Sequence, residues 1–485
     1  MKKKLPVSKN EDLILTIEDL TYQGMGVAKV DGYPLFIEGA LPQEKIKAHV
    51  VKVTKNYGFA KVIDFIEKSP DRVENEDKIY LQTGIAPLQN LSYPAQLKFK
   101  RKLVTDLLQK VHLDNLEVAD TLGMDTPYYY RNKAQVPVRE VNGKLEIGFF
   151  KRNSHDFVAM EHFLIQDKRI DEILLKVRDI LRMSKITAYN EEKHTGIIRH
   201  ILVRRGYYSH EAMVVLVSRV RKIPNLDQIA FLIQQQCPDV KSVMLNVNPD
   251  KTNVILGKKT IKLAGKDTIQ DTLNGLKFDI SAQSFYQVNP QQTEKLYQLA
   301  IEDAELTGKE TVIDAYCGIG TISLNMAKFA KKVYGVEIVP EAIEDAKHNA
   351  SLNDLDNLDF EVGEAEVWME KWQKQGIKPD VIMVDPPRKG LTSSLIQSAV
   401  AMEPKKVVYV SCNPATLVRD IQEFMELGYQ VTKPIQPVDQ FPQTTHVENV
   451  TVLECMKNYK TINVCWRGGG WPTILRLVRN RRNSV

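Results

Sequence analysis

The sequence predicts an α/β protein: a doubly wound, Rossmann-like parallel sheet in the C-terminal part, a small OB-like β-barrel at the N-terminus, and an α+β segment between them. Three observations point there. From Thr311 onward, short apolar runs alternate with stretches of helical periodicity, as crossover connections between parallel strands require. Residues from about Glu11 to Glu67 instead alternate apolar and polar in short runs, the pattern of half-buried strands. The chain has 485 residues, more than one ordinary domain.

Taken in order, 13–17, 26–30, 35–37 and 45–50 read as strands, with Asp31-Gly32 as a hairpin turn. Ser69-Pro70 reads as a linker. The middle segment carries a helix with a basic face over 96–110, strands at 133–138 and 147–150 around an Asn142-Gly143 turn, a helix over 170–183, and strands at 201–203 and 212–217. In the C-terminal part the alternation runs strand 311–314, helix 321–330, strand 332–337, helix 340–352, then strands at 381–385 and 407–410. The expected division is a barrel over 8–67, a central α+β domain over 71–275, a doubly wound domain over 276–455, and an atypical basic, disordered tail over 456–485.

Composition narrows the class. Hydrophobic content of 43% and charged content of 26% suit a soluble globular chain. No run approaches the ~18 apolar residues of a membrane span, and Met1-Lys2-Lys3-Lys4-Leu5-Pro6 lacks the apolar centre of a secretion signal, so a cytoplasmic location is expected. The cysteines are Cys237, Cys317, Cys412, Cys455 and Cys465; none forms a C-x-x-C pair or a zinc-spaced cluster, and no metal site is expected. The net charge of +5 is misleading as a sign of nucleic acid. Residues 456–485 hold seven Lys or Arg and no acid, so the remainder sums to 5 − 7 = −2.

Two motifs carry chemistry. In Asp314-Ala315-Tyr316-Cys317-Gly318-Ile319-Gly320-Thr321, two glycines between a strand and its helix let backbone amides approach a ligand. Glu337 ends the next strand, where a carboxylate holds a ribose hydroxyl pair. The third glycine of the dinucleotide fingerprint is replaced by Ser323, which favours a cofactor without pyrophosphate, S-adenosyl-L-methionine (SAM). Cys317 reads as a small apolar residue packed under the loop. The second motif is Ser411-Cys412-Asn413-Pro414 after an apolar strand, with Asp385-Pro386-Pro387-Arg388 upstream and Glu448, in an apolar frame, 36 residues downstream of the cysteine. C5 of a pyrimidine is a poor nucleophile until a thiolate adds to C6, and a base must afterwards remove the C5 proton. Cys412 suits the first task and Glu448 the second. Asp385, at another strand end, either caps a turn or grips a ligand.

With these residues in view, 281–455 resembles the RNA 5-methyluridine methyltransferases of the TrmA/RumA type. The family's motifs stand as Ser284-Phe285-Tyr286-Gln287-Val288-Asn289, the loop from Asp314, Val384 to Gly390, Ser411 to Thr416 and His446 to Asn449. The resemblance implies a class I SAM-dependent methyltransferase fold, with Cys412 as nucleophile and Glu448 as proton acceptor. It places Gln287, Tyr316, Gly318, Gly320, Thr321, Glu337 and Asp385 around SAM and the uracil, and Phe285 against a flipped base. Residues 8–67 resemble a TRAM domain, an RNA-binding barrel. Tyr130 to Gln135 resembles the central-domain motif, implying RNA contacts from Arg131, Asn132, Lys133 and Gln135. Many relatives carry a four-cysteine iron–sulfur site shortly before a triplet like Leu91-Ser92-Tyr93. Here Asp77 to Pro87 holds no cysteine, and Phe163 stands about where the fourth would be, so no cluster is expected.

The expected partner is ribosomal RNA, 23S in particular, with no membrane and no obligate protein partner, the chain acting as a monomer. Transfer RNA and a non-catalytic RNA-binding factor are the alternatives. A cytosine-5 methylase is disfavoured because Ser411, not proline, precedes Cys412. Basic residues beside aromatics at 98–101, 128–133, 149–152 and 204–208 suit phosphates and unstacked bases. The tail is either a basic RNA-binding extension or an extension without a role.

Overall fold

A computed structural model describes residues 5–75 and 77–456; the tail falls almost wholly outside the described residues. By compactness the chain divides into two units. The first holds residues 1–103, 120–294 and 438–447, and the second the rest. The barrel and the central segment, apart from residues 104–119, thus share one unit, and residues 276–294 stay with them. The three-part division above remains a finer proposal within this frame.

In the first unit, a six-stranded sheet runs in the order Asp12–Thr16, Lys45–Val53, Gly58–Glu67, Tyr33–Ile37, Gly26–Val30, Asp19–Leu20. It wraps one core that includes Leu15, Ile17, Leu35, Ile37, Ile46 and Val50. The two end strands are consecutive in the chain, so the backbone itself closes the barrel. The Asp31-Gly32 turn is as expected: Val30 pairs Tyr33, with φ of 47° and 79° at the two turn residues. The expected linker is anchored. Arg72 ion-pairs with the buried Glu44 and donates to the Gly39 carbonyl at 2.7 Å.

The central sheet has seven strands in the order Lys259–Gly265, Val240–Val247, Ala212–Ser218, Ile198–Arg205, Lys133–Val141, Lys144–Phe150, Phe157–Ala159. Helix Lys168–Met183 is capped by Asp167, which accepts from the Arg169 amide at 2.7 Å. It buries Ile170, Ile173, Leu174, Val177 and Leu181 at helical spacing against the sheet. Phe163 sits in this core and meets Phe149 edge-on at 5.6 Å, so aromatic packing fills the place where relatives are expected to have a cysteine. Among the described residues, no group of three or more His, Cys, Asp or Glu is placed to hold a metal ion.

In the second unit, five parallel strands run in the order Leu358–Val362, Lys332–Glu337, Thr311–Asp314, Val381–Val384, Lys406–Ser411. The next strand departs from the all-parallel expectation: Glu448–Cys455 lies antiparallel to Lys406–Ser411, and Tyr429–Val431 antiparallel to it. No helix among the described residues is long and apolar enough to cross a membrane.

Candidate active site

Reversal of the last long strand builds the site. In the parallel strands the C-terminal ends gather at one edge of the sheet, where ligands of such folds bind. Running antiparallel, Glu448–Cys455 brings its N-terminal end to that edge. Ser411 pairs with Asn449, so Cys412 and Glu448 are the next residues outward on the two neighbouring strands. Cys412 is half-buried and Glu448 is 5% exposed. Asn413 fixes the turn after the cysteine. Its side chain accepts from the Ala415 amide at 3.1 Å, capping helix Pro414–Glu426, and donates to the Arg388 carbonyl at 2.8 Å. This ties the Asp-Pro-Pro-Arg turn to the cysteine turn.

The electrostatics are those of crowded acids with one cation. Burial, then Glu448 and Asp385, push the Cys412 thiol up to about 12, while Arg388 pulls it down. Burial, then Asp385, raise Glu448 to about 8, again against Arg388. Asp385 is raised to about 7 by burial and then by Asp314. Among the described residues, Arg388 is thus the cation that acts on both thiol and carboxyl. The sequence reading assigned it no role, although it stands in the Asp-Pro-Pro motif; its position beside the half-buried cysteine was the missing signal.

The glycine loop is set by its own strand and the next. The Cys317 amide donates to the Val336 carbonyl at 3.1 Å, and the Gly318 amide to Glu337 Oε2 at 3.3 Å. Glu337 also accepts from Val339 at 3.1 Å. Beneath the loop, Ser323 donates to the buried Asp314 at 2.5 Å, and burial raises that carboxyl to about 6. Cys317 is buried, as expected, and burial lifts its thiol well above the usual range. Thr321 Oγ1 lies 3.0 Å from the Tyr297 hydroxyl. Tyr316 is half-buried, raised to about 12 by burial and then by Glu366, Asp420 and Glu337.

These residues fit SAM. Gly318 has φ +54° and nothing within 4 Å of where a Cβ would stand, which leaves room for a ligand against its backbone. Glu337 presents its carboxylate at the end of the neighbouring strand, beside the Gly318 amide. Ile338, 64% exposed, offers an apolar side chain beside it that the sequence reading missed; an exposed isoleucine directly after a strand-end acid was the available signal. Gly320 differs from Gly318: its φ is +83°, and a Cβ would stand 2.6 Å from Leu324 Cδ1. Gly320→Ala is therefore expected to lose more than about 1 kcal/mol of stability in denaturant titration, whereas Gly318→Ala, strained by its positive φ but without a clash, is expected to lose less stability and to weaken SAM binding as well, read by calorimetry.

Other expected site residues lie in the first unit. Phe285 is 66% exposed on the 281–289 segment, and Gln287 is half-buried there. Asn132 is interior: its side chain donates to the Gln287 carbonyl at 3.1 Å and its amide to Val288 at 2.9 Å. It shapes that segment from below. Arg131, Lys133 and Gln135 are half-buried. Lys133 pairs across strands with Arg204, and burial, Arg204 and then Arg131 bring its ammonium down to about 7. Of the basic–aromatic patches, the one at 98–101 is largely structural. Lys100 is fully buried in an ion pair with Asp439, Phe99 is buried, and Arg101 meets Asp120 at 2.8 Å.

Strand order and loop together define a class I methyltransferase fold. Comparison with known proteins agrees. Residues 92–456 match the family described as tRNA (uracil-5-)-methyltransferase, and residues 9–63 match the TRAM domain. The chain belongs to this family of RNA methyltransferases. An uncharacterized RNA methyltransferase of Lactiplantibacillus plantarum is 61% identical over 454 residues, 94% of this chain and 99% of that one. Another, from Enterococcus faecalis, is 52% identical over 93% of this chain and 99% of that one. The crystal structure of Pyrococcus abyssi tRNA (uracil-54, C5)-methyltransferase with S-adenosyl-L-homocysteine superposes with a TM-score of 0.73 at 27% identity, covering 91% of this chain and 99% of that one.

Proposed function

We propose that the protein methylates C5 of a uridine in 23S rRNA, with SAM as methyl donor, through a covalent bond between Cys412 and C6 of the base. The observation that carries this reading is the register that sets Cys412 and Glu448 on adjacent strand ends beside Asp385 and Arg388. The Cys412 thiolate adds to C6, and the electron pair of the C5–C6 double bond moves onto the C4 carbonyl as an enolate, making C5 nucleophilic. SAM would supply the electrophilic methyl group that C5 takes, the methyl–sulfur bond breaking with its electron pair left on S-adenosyl-L-homocysteine. Glu448 then removes the C5 proton, the ring electrons re-form the C5–C6 bond, and the carbon–sulfur bond breaks to return the thiolate. Arg388 offsets the negative charge on sulfur and on the carboxylate in turn. Asp385, beside the thiol and the carboxyl, is proposed to hold the base once it has left its stack.

Transfer RNA is the second reading, favoured by the family's description and by the Pyrococcus neighbour, whose substrate is a tRNA. Mapping 5-methyluridine in RNA from cells lacking the protein separates them. Loss of a 23S site supports the first reading, and loss confined to tRNA replaces it with the second. The protein is proposed to act as a cytoplasmic monomer. A chain ending after Met456 is expected to methylate at the full rate, because the relatives align over nearly their whole length without needing all of this chain. A large loss of RNA affinity in that truncation would give the tail a role.

A further inference from the structure

Helix Pro414–Glu426 carries a charge on the face that it buries. Leu417, Val418, Ile421 and Phe424 pack inward at helical spacing, and Asp420 stands among them, fully buried. A carboxylate taken out of water needs strong donors. Asp420 Oδ2 accepts from the Leu391 amide at 2.9 Å and from the hydroxyl of the buried Tyr409 at 2.7 Å. Its Oδ1 accepts from Arg419, Nε at 2.7 Å and Nη2 at 2.6 Å. That guanidinium is held in turn against the chain that follows the Asp-Pro-Pro motif. Its Nη2 donates to the Leu391 carbonyl at 2.9 Å and to the Lys389 carbonyl at 3.2 Å. Between them, Gly390 has φ +72°, and a Cβ there would stand 2.7 Å from Arg419 Nη2, Asp420 Oδ2 and Thr416 Cβ. The turn lies directly on the helix.

Arg388 belongs to this turn, which the Gly390 amide closes on the Pro387 carbonyl at 2.9 Å. The Arg388 side chain is exposed, so packing does not fix where its guanidinium stands; the backbone that carries it does. That backbone is tied to one helix and its cap. Asn413 takes the Arg388 carbonyl, while Asp420 and Arg419 hold the Lys389 carbonyl and both backbone groups of Leu391. The same cap directly follows Cys412. Cysteine and arginine are thus mounted on a common support, and Arg388 favours the thiolate at a sulfur that Glu448 and Asp385 otherwise keep protonated.

We infer that Asp420 is a positioning residue for the proposed methyl transfer, acting with Arg419 and Tyr409 to hold the 388–391 turn where the Arg388 guanidinium offsets charge on the Cys412 sulfur. Fully buried, Asp420 touches neither base nor cofactor; it acts through Arg388. The inference rests on the reading of Cys412 as nucleophile for its consequence in catalysis, and on the hydrogen bonds alone for its geometry.

The test alkylates the full chain with iodoacetamide, with neither RNA nor SAM present, and follows the Cys412 peptide by mass spectrometry. The thiolate is the species that reacts, so the rate at pH 8 reports how readily the sulfur ionises. Arg388→Ala is expected to slow alkylation about ten-fold. Asp420→Asn is expected to slow it by a similar factor in the otherwise wild-type chain. In the Arg388→Ala chain the same substitution is expected to cost less than about two-fold, because a residue that works through Arg388 has nothing left to act on. Arg419→Gln, at a half-exposed side chain, takes the same pair of measurements if circular dichroism shows Asp420→Asn unfolded. Equal slowing in both backgrounds makes Asp420 a purely structural residue and overturns the proposal. So does a rate that is unchanged or faster in either single variant. Alkylation is read without methyl transfer: a chain that shows the coupling yet never methylates RNA counts against the uridine reading alone.

Discussion

Cys412→Ala is expected to abolish methyl transfer, by about 10⁴-fold or more, and with it the adduct formed by wild-type protein on RNA carrying 5-fluorouridine at the target. The fluorinated base separates the steps. On the proposed route sulfur adds to C6 and C5 accepts the methyl group, but fluorine then occupies the position from which Glu448 would take a proton. The enzyme stays bound, and the complex survives denaturing electrophoresis. Alanine cannot make the first bond, so the adduct vanishes as well as the turnover. A serine at 412 is expected to fail equally, because a hydroxyl beside two carboxyls has no means of ionising near neutral pH. Cys237→Ala, in the core of the first unit, is the matching control and should form the adduct normally. Methylation by the Cys412→Ala protein would falsify addition at C6 as the route.

Motifs on short turns at strand ends were legible in the sequence because their geometry is local. The glycine loop, the Asp-Pro-Pro turn and the cysteine turn each lie within a few residues, and each sits where the strand pattern placed it. Glu448 was legible as a buried acid in an apolar frame. Its meeting with Cys412 was not, because it depends on the direction of a strand, and a run of buried residues reads the same in either direction. Strand Gly58–Glu67 was missed for a different reason. Beyond Ala60 it is largely exposed on both faces, so apolar alternation disappears from the sequence while the backbone pairing continues. Lys100 was read as part of a basic surface because its partner, Asp439, is 339 residues away. Burial of a charge is decided by such distant partners, and periodicity carries no record of them.

Glu448→Gln is expected to divide the reaction at the other end: methyl transfer to ordinary uridine proceeds once, and the methylated RNA stays attached through Cys412. Electrostatics orders the two steps. A carboxylate at 448 raises the thiol, so sulfur ionises most easily while Glu448 is still protonated, which its value of about 8 allows at neutral pH. Once sulfur is bonded to C6 it is a neutral thioether, and Glu448 can then ionise and serve as base without a negative neighbour on sulfur. Product release in the wild type is therefore expected to quicken as pH rises through about 8 and to lose that dependence in Glu448→Gln, read as adduct decay in single-turnover experiments. Stability gives an independent check. Below the ordinary carboxyl value of 4.5 the group is neutral in both folded and unfolded chains. Between 4.5 and about 8 the unfolded chain gives up its proton while the folded one keeps it, so this group makes stability fall as pH rises, and the loss is complete above 8. Glutamine stays neutral throughout. At pH 9 the variant should therefore be more stable than the wild type, on the order of 5 kcal/mol, with little advantage at pH 4. A variant that is less stable at pH 9, or that releases its product freely, means that the carboxylate at 448 has a good partner in the folded protein and is not held in reserve for the proton on C5.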